Sequence, residues 1–295
     1  TPTMGGIMFI VGTVIATIVG VCMYYFVSMK SGIETFETPL MITKIFAGLG
    51  MAVSYGIVGI MDDMVKIRNK QNAGLTPKQK LILQFGILGC YFLALHIVNS
   101  KSGGANLTIV NIPFFGNIDL GIFYWIIMAL VVVGIVNAAN LTDGVDGLSA
   151  SVAFFIAMFY MLIANISGMF GISLEAAALA GACLGFLFWN FHPAKIFMGD
   201  TGSLFLGGMV CALGLGMGIH VPMIILSFVY ITEMLSVILQ VIYFKATHGK
   251  RLFKMSPIHH HFEMCGWSET KICTVFSIVT IILGIISTLT VIYGM

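Results

Sequence analysis

Charge is what this chain has least of. Lys and Arg number 14 and Asp and Glu 12 in 295 residues, so 9% of side chains are charged while 59% are hydrophobic. Mean hydropathy is +1.03. No water-soluble domain can bury that much apolar surface, so the chain reads as a polytopic membrane protein. Cysteines in pairs are lacking as well. Cys22, Cys90, Cys183, Cys211, Cys265 and Cys273 are scattered without disulfide or metal-type spacing. Five lie in apolar stretches as small hydrophobes and Cys265 in a polar loop, and none is assigned a function. No cleavable signal peptide is visible in the sequence, and no internal repeat of fixed period is seen, which counts against an inverted-repeat transporter.

Long apolar runs, by contrast, are abundant. Spans of about 20 apolar residues fit a bilayer. Nine such stretches are found, at roughly 4–28, 41–61, 81–99, 120–138, 147–166, 174–191, 202–219, 222–245 and 272–293. Their length and lack of alternation favour helices over a barrel. The whole chain, 1–295, reads as a single integral domain without a linker. It opens at Thr1 directly before a span, and one further N-terminal span is expected ahead of it.

Threading nine spans places loops 62–80, 139–146, 192–201 and 246–271 on one side. Eleven of the 14 Lys and Arg lie in or beside them, Lys30, Lys44 and Lys101 being the remainder. The positive-inside rule makes that side cytoplasmic. Loop 62–80 is basic and carries the turn signal Asn72-Ala73-Gly74 before Pro77. Segment 100–119, on the other side, alternates around Leu107–Ile112 and holds Pro113 and Gly116, predicting a short external hairpin.

Five carboxylates fall at the cytoplasmic ends of these spans: Asp62, Asp63, Asp143, Asp146 and Asp200. A chain this poor in charge has few reasons to gather them at one membrane surface. A shared site for a cation and phosphate is the economical reason. Asp62 and Asp63 close the second span, where two carboxylates oppose the helix macrodipole, and adjacent like charges suit a general base or a metal neighbour. The bland alternative is a solvated pair with Lys66 as partner.

Asp143 and Asp146 sit in NAANLTDGVDGLSA, before the fifth span. One N-cap explains one Asp, not two flanked by Gly144, Gly147, Asn137 and Asn140, residues that suit a sugar or nucleobase. Capping and binding both remain open for them. Asp200, in FMGDTGS ahead of the seventh span, joins Thr201 and Ser203 in an oxygen-rich turn suited to a hard cation bridging phosphate. It is the candidate metal ligand, or else only a cap.

His259, His260 and His261 follow Pro257 in SPIHHHFE. The usual partners of a tight zinc site are absent apart from Glu263. Beside Lys250, Arg251 and Lys254 the imidazoles suit hydrogen bonding to phosphate. Glu233, with Gln240 on the same face of the eighth span, is placed as the one deep carboxylate, and it keeps an ion-pathway reading alive.

Together the strings TPTMGG (1–6), DDMVK (62–66), NAANLTDGVDGL (137–148), FWNFHPAKIFMGDTGS (188–203) and SPIHHHFE (256–263) resemble the polyprenyl-phosphate N-acetylhexosamine-1-phosphate transferase superfamily. Within it they look like the branch of phospho-N-acetylmuramoyl-pentapeptide transferases. The likeness covers essentially the whole chain, and SPIHHHFE separates this branch from relatives that transfer GlcNAc-1-phosphate.

The resemblance implies an all-α bundle of ten membrane helices, nine visible here, with cytoplasmic active-site loops. It implies Mg²⁺-dependent transfer of phospho-MurNAc-pentapeptide from a UDP-linked donor to undecaprenyl phosphate, a step of peptidoglycan synthesis in the bacterial inner membrane. Lipid I and UMP are the products. UDP-GlcNAc is the alternative donor. Asp200 matches the metal ligand and Asp62 and Asp63 the catalytic pair. Asn140, Asp143 and Asp146 match the nucleotide pocket, with Gly144 and Asn137 beside them. Asn190 and Phe197 match further uridine contacts, and Gln240 and His259 to His261 the substrate side. Lys80 matches a family lysine, and Thr3 and Lys66 are added as substrate-side residues. No nucleic-acid partner is expected, and a homodimer would be an ordinary assembly.

Overall fold

A computed structural model describes residues 2–31, 39–69, 74–101 and 106–294. The first helices are α1 (Gly6–Ser31), α2 (Pro39–Asn69) and α3 (Pro77–Lys101), followed by the strands β1 (Ile109–Ile112) and β2 (Gly116–Asp119). Next come α4 (Ile122–Thr142), α5 (Leu148–Ile166), α6 (Phe170–Asn190), α7 (Gly199–Met217) and the short α8 (His220–Leu226). The chain ends with α9 (Phe228–Ala246), α10 (Ile258–Glu263) and α11 (Glu269–Gly294). Among the described residues nine helices are long and apolar enough to cross a membrane. Lys70 and the turn residues Asn72 and Ala73 lie outside the described residues.

The bundle is organised around α7, which is buried from Thr201 to Met217. Its glycines, with Ala212, let neighbouring backbones approach closely, the usual basis of helix association in lipid. α1, α2, α4 and α5 surround it. The outer helices expose Ile, Leu, Phe and Met, as lipid-facing surfaces require. Cys22 and Cys90 share that outer surface, while Cys183, Cys211 and Cys273 are buried.

Three expectations change. The stretch 222–245 is not one helix but α8 and α9, broken at Ser227. Asp62 and Asp63 do not end α2, which runs on to Asn69. Their place within the helix weakens the argument from that helix's own dipole. Glu233 is not the one deep carboxylate either, because Glu175 on α6 is also buried. The external hairpin forms as expected, β1 pairing antiparallel with β2 in the register Ile109↔Asp119 and Ile112↔Gly116.

Candidate active site

Opposite chain directions bring the right ends together. The C-terminal parts of α2, α4 and α6 meet the N-termini of α7 and α11 at one end of the bundle. They enclose a cavity of about 640 Å³ lined by Thr3, Asp63, Lys66, Asn140, Asp143, Gly144, Asp146, Asn190, Phe197, Asp200 and Glu269, among others. Thr3 arrives on an N-terminal strap. Gly5 N–H donates to the Phe197 carbonyl at 2.9 Å, and Phe197 N–H donates to that of Pro2 at 2.9 Å.

The centre is a carboxylate–ammonium cluster. Ligand oxygens of Asp62, Asp63 and Asp200 lie within 4.8 Å of one another. Lys66 Nζ sits 2.6 Å from Asp62 Oδ2 and 3.1 Å from Asp200 Oδ2. Lys80 Nζ, from α3, sits 2.8 Å from Asp200 Oδ2 and 3.6 Å from Asp62 Oδ1. Three carboxylates against two ammonium groups leave net negative charge at the cluster.

Each acid is held differently. Asp63 accepts from Asp200 N–H at 3.3 Å and from Thr201 N–H and Oγ1 at 3.0 and 2.8 Å. It therefore caps α7 from outside, and α7 has no side-chain cap of its own. Asp62 Oδ1 accepts from Leu75 N–H at 2.8 Å, tying down the loop before α3. Asp200 is oriented by Asn140, whose Nδ2 donates to its Oδ1 at 2.9 Å and to Ser203 Oγ at 2.8 Å. Gly59 makes the approach of α2 to α7 possible, since a Cβ there would lie 2.2 Å from the Asp200 carbonyl.

The loop 143–147 forms the opposite wall. Gly147 is the N-cap of α5 and no side chain caps the helix, so Asp143 and Asp146 are not its N-caps. Burial, with the charges of Asp200, Asp63 and Asp146 adding to it, raises the Asp143 carboxyl well above the usual carboxylate range. Asp146 Oδ2 accepts from Ala194 N–H at 2.9 Å and faces His192 Nδ1 at 3.1 Å, while its N–H donates to Glu269 Oε2 at 3.1 Å. Asn190 braces two loops: Gly147 N–H donates to its Oδ1 at 3.2 Å, and its Nδ2 donates to the Ile196 carbonyl at 2.9 Å.

The remaining candidates stand apart from the cavity lining. Asn137 pairs with Gln84 deeper in the bundle, donating to its Oε1 at 2.8 Å. Gln240 Oε1 accepts from Leu252 and Phe253 N–H at 3.1 and 2.9 Å and so anchors loop 246–257. His260 pairs with Glu263 at 2.5 Å, and His261 Nδ1 accepts from Lys254 N–H at 3.1 Å. His259 is fully buried beside Glu233, behind Gly144. Glu269 and His192 were not anticipated. Glu269 opens the last helix as an unremarkable first-turn acid, and nothing in its neighbours in sequence marks it as a cavity residue.

The donor set fits a hard divalent cation. Such ions take carboxylate oxygens and fill their shells with water and phosphate. Among the described lining residues the carboxyl groups of Asp63, Asp143, Asp146, Asp200 and Glu269 outnumber the ammonium of Lys66, which reinforces the point. An anionic diphosphate would be repelled there unless a cation came with it.

Residues 45–218 match the family model described as glycosyl transferase family 4. The chain is 41% identical over 292 residues to a phospho-N-acetylmuramoyl-pentapeptide-transferase of Clostridioides difficile, covering 99% of this chain and 84% of the relative. Proteins of the same name from Clostridium perfringens and Bacillus pumilus are 44% and 41% identical over 283 and 287 residues. These matches cover 96% and 97% of this chain and 80% and 82% of the relatives. The chain belongs to glycosyl transferase family 4, and within it to the phospho-N-acetylmuramoyl-pentapeptide-transferase family.

Proposed function

We infer that the protein transfers phospho-MurNAc-pentapeptide from its UDP-linked donor to undecaprenyl phosphate, giving lipid I and UMP. One observation carries the reading. Asp62, Asp63 and Asp200, distant in sequence, share a cluster beside a nucleotide-sized cavity at one end of a lipid-facing bundle. The basic loops place that end on the cytoplasmic side of a bacterial cell membrane. The chain works as one integral membrane unit.

In the transfer, an oxygen of the lipid phosphate attacks the phosphorus attached to the sugar. The bond from that phosphorus to the bridging oxygen of UMP breaks, and UMP leaves. Little covalent work falls to the protein, because positioning and charge neutralisation dominate phosphoryl transfer. Asp200 and Asp62, with Asp63 beside them, would hold Mg²⁺, which would supply charge neutralisation at the reacting phosphates. Lys66 and Lys80 offset developing negative charge. Thr3, Asn140, Asp143, Gly144, Asp146, Asn190 and Phe197 shape the wall for the nucleotide–sugar. Asp63, tied to α7, keeps Asp200 in place, and Asp62 or Asp63 takes any proton that the lipid phosphate carries. Asn137, paired with Gln84, and Gln240, which anchors loop 246–257, act outside the cavity lining, and His259 lies buried behind Gly144 at the head of His259 to His261.

The test is UMP release by the purified protein with Mg²⁺, comparing UDP-MurNAc-pentapeptide with UDP-GlcNAc. Turnover of the first and not the second is expected. A preference for UDP-GlcNAc would replace this reading by the other branch of the superfamily.

A further inference from the structure

Glu233 lies on α9 with 0% exposure, and so does His259 on α10. An intramembrane carboxylate needs a reason. Its Oε2 is 3.0 Å from His259 Nδ1 and 3.5 Å from His259 N–H. His259 Nε2, at the other side of the ring, is buried without a hydrogen-bond partner. What it faces is Gly144: a Cβ on that residue would lie 2.4 Å from Nε2. Gly144 is itself exposed and lines the cavity between Asp143 and Asp146.

Charge decides what Nε2 offers. A buried carboxylate beside a neutral imidazole would leave an uncompensated charge, which is costly. Two arrangements avoid it, a carboxylate with an imidazolium and a carboxylic acid donating to Nδ1 of a neutral imidazole. Nε2 carries a hydrogen in both. The pair therefore presents a donor beneath a residue that has no side chain to block it. An unmet buried donor is unfavourable, so an acceptor that arrives with substrate accounts for its retention.

We propose that Glu233 is a positioning residue: acting through His259, it holds an Nε2–H donor beneath Gly144 for a phosphate oxygen of the bound donor substrate. The inference rests on the transferase reading and adds to it a role for an acid that touches no substrate. It also accounts for Gly144 without appeal to backbone flexibility. Any side chain at that position would collide with Nε2.

The experiment is a double-mutant cycle on the full-length enzyme in detergent, read as kcat/KM for Mg²⁺-dependent UMP release, with size exclusion and thermal unfolding as checks of the fold. Glu233→Met should lower kcat/KM at least about tenfold, the worth of one charge-assisted hydrogen bond. Glu233→Gln, whose amide can still bond to Nδ1, should stay within about threefold of the parent. In a His259→Ala background Glu233→Met should cost less than about twofold, because the two residues act as one unit. Gly144→Ala, at an exposed position, should likewise lose most of its effect once His259 is gone. If Glu233→Met does not fold, Glu233→Ala takes its place in the cycle. Full activity of a folded Glu233→Met variant, or equal losses with and without His259, would overturn the proposal. Absence of UMP release by the parent enzyme would instead overturn the transferase reading.

Discussion

Asp63 and Thr201 are joined by two hydrogen bonds to one oxygen: Asp63 Oδ2 accepts from the Thr201 backbone N–H at 3.0 Å and from its hydroxyl at 2.8 Å. A carboxylate inside one helix thus serves the positive end of another. The pair locks α2 to α7 and fixes where Asp200 points.

Asp63→Ala should therefore act on stability as well as turnover. Removing a cap costs about 0.5–2 kcal/mol, and here it also leaves the Thr201 hydroxyl without its acceptor. Thermal unfolding in detergent should show a lower midpoint, alongside a loss of UMP release. A variant that melts like the parent would show that α7 does not depend on this cap.

Asp200→Asn should keep the Asn140 contact but remove the charge that faces both lysines. Losses on the order of 100-fold in kcat are expected, the scale seen when one electrostatic element of an active site is removed. Chelation of divalent ions should silence the parent, and added Mg²⁺ should restore it. Extra Mg²⁺ should not rescue the variant.

Lys80→Met removes an ammonium 2.8 Å from Asp200 Oδ2. A hydrogen bond to a charged group contributes about 1.5–3 kcal/mol, so kcat/KM should fall by roughly ten- to a hundredfold. The site becomes more negative, and the apparent affinity for Mg²⁺ should rise as that for the anionic donor falls. Unchanged affinity for both would remove Lys80 from the site.

Asp143 carries a pH signature. Its folded-state carboxyl titrates above the ordinary value because burial and neighbouring carboxylates disfavour its charge. Stability from such a group is fully present below the unfolded pKa of about 3.9 and is lost as pH rises through the folded value. Asp143→Asn should hence melt above the parent at pH 8, with the two converging below about pH 4. Its activity should drop, since a stabilising change at a functional wall tends to cost function. Equal melting curves at pH 8 would show that the Asp143 charge costs nothing.

Gly59→Ala places a Cβ 2.2 Å from the Asp200 carbonyl. Overpacking of this kind costs about 1–3 kcal/mol and pushes α7 away from α2. Because Asp200 starts α7, UMP release should fall with stability, measured on the same preparation.

Much of this was legible in the sequence. Nine apolar runs name the membrane class because a bilayer sets their length, and Lys and Arg in alternate loops orient them. The hairpin at Ile109–Asp119 followed from alternation and turn residues. Asp62, Asp63, Asp143, Asp146 and Asp200 stood out because charge is so rare here. The break at Ser227 was not legible, since α8 and α9 are apolar on both sides of it. Nor was the place of Glu269, which reaches the loop 143–147 only through packing.

The sequence by itself determined the lipid-embedded class, the sidedness and the family, because hydropathy and short motifs are local properties of the chain. Tertiary structure alone decided which acids meet. Asp63 became a cap for α7 rather than a charge at the end of its own helix. Asn190 became a brace, and His259 came to rest under Gly144 against Glu233. Those roles depend on distances between helices, which are set by side-chain packing around α7 and have no signature in any one segment.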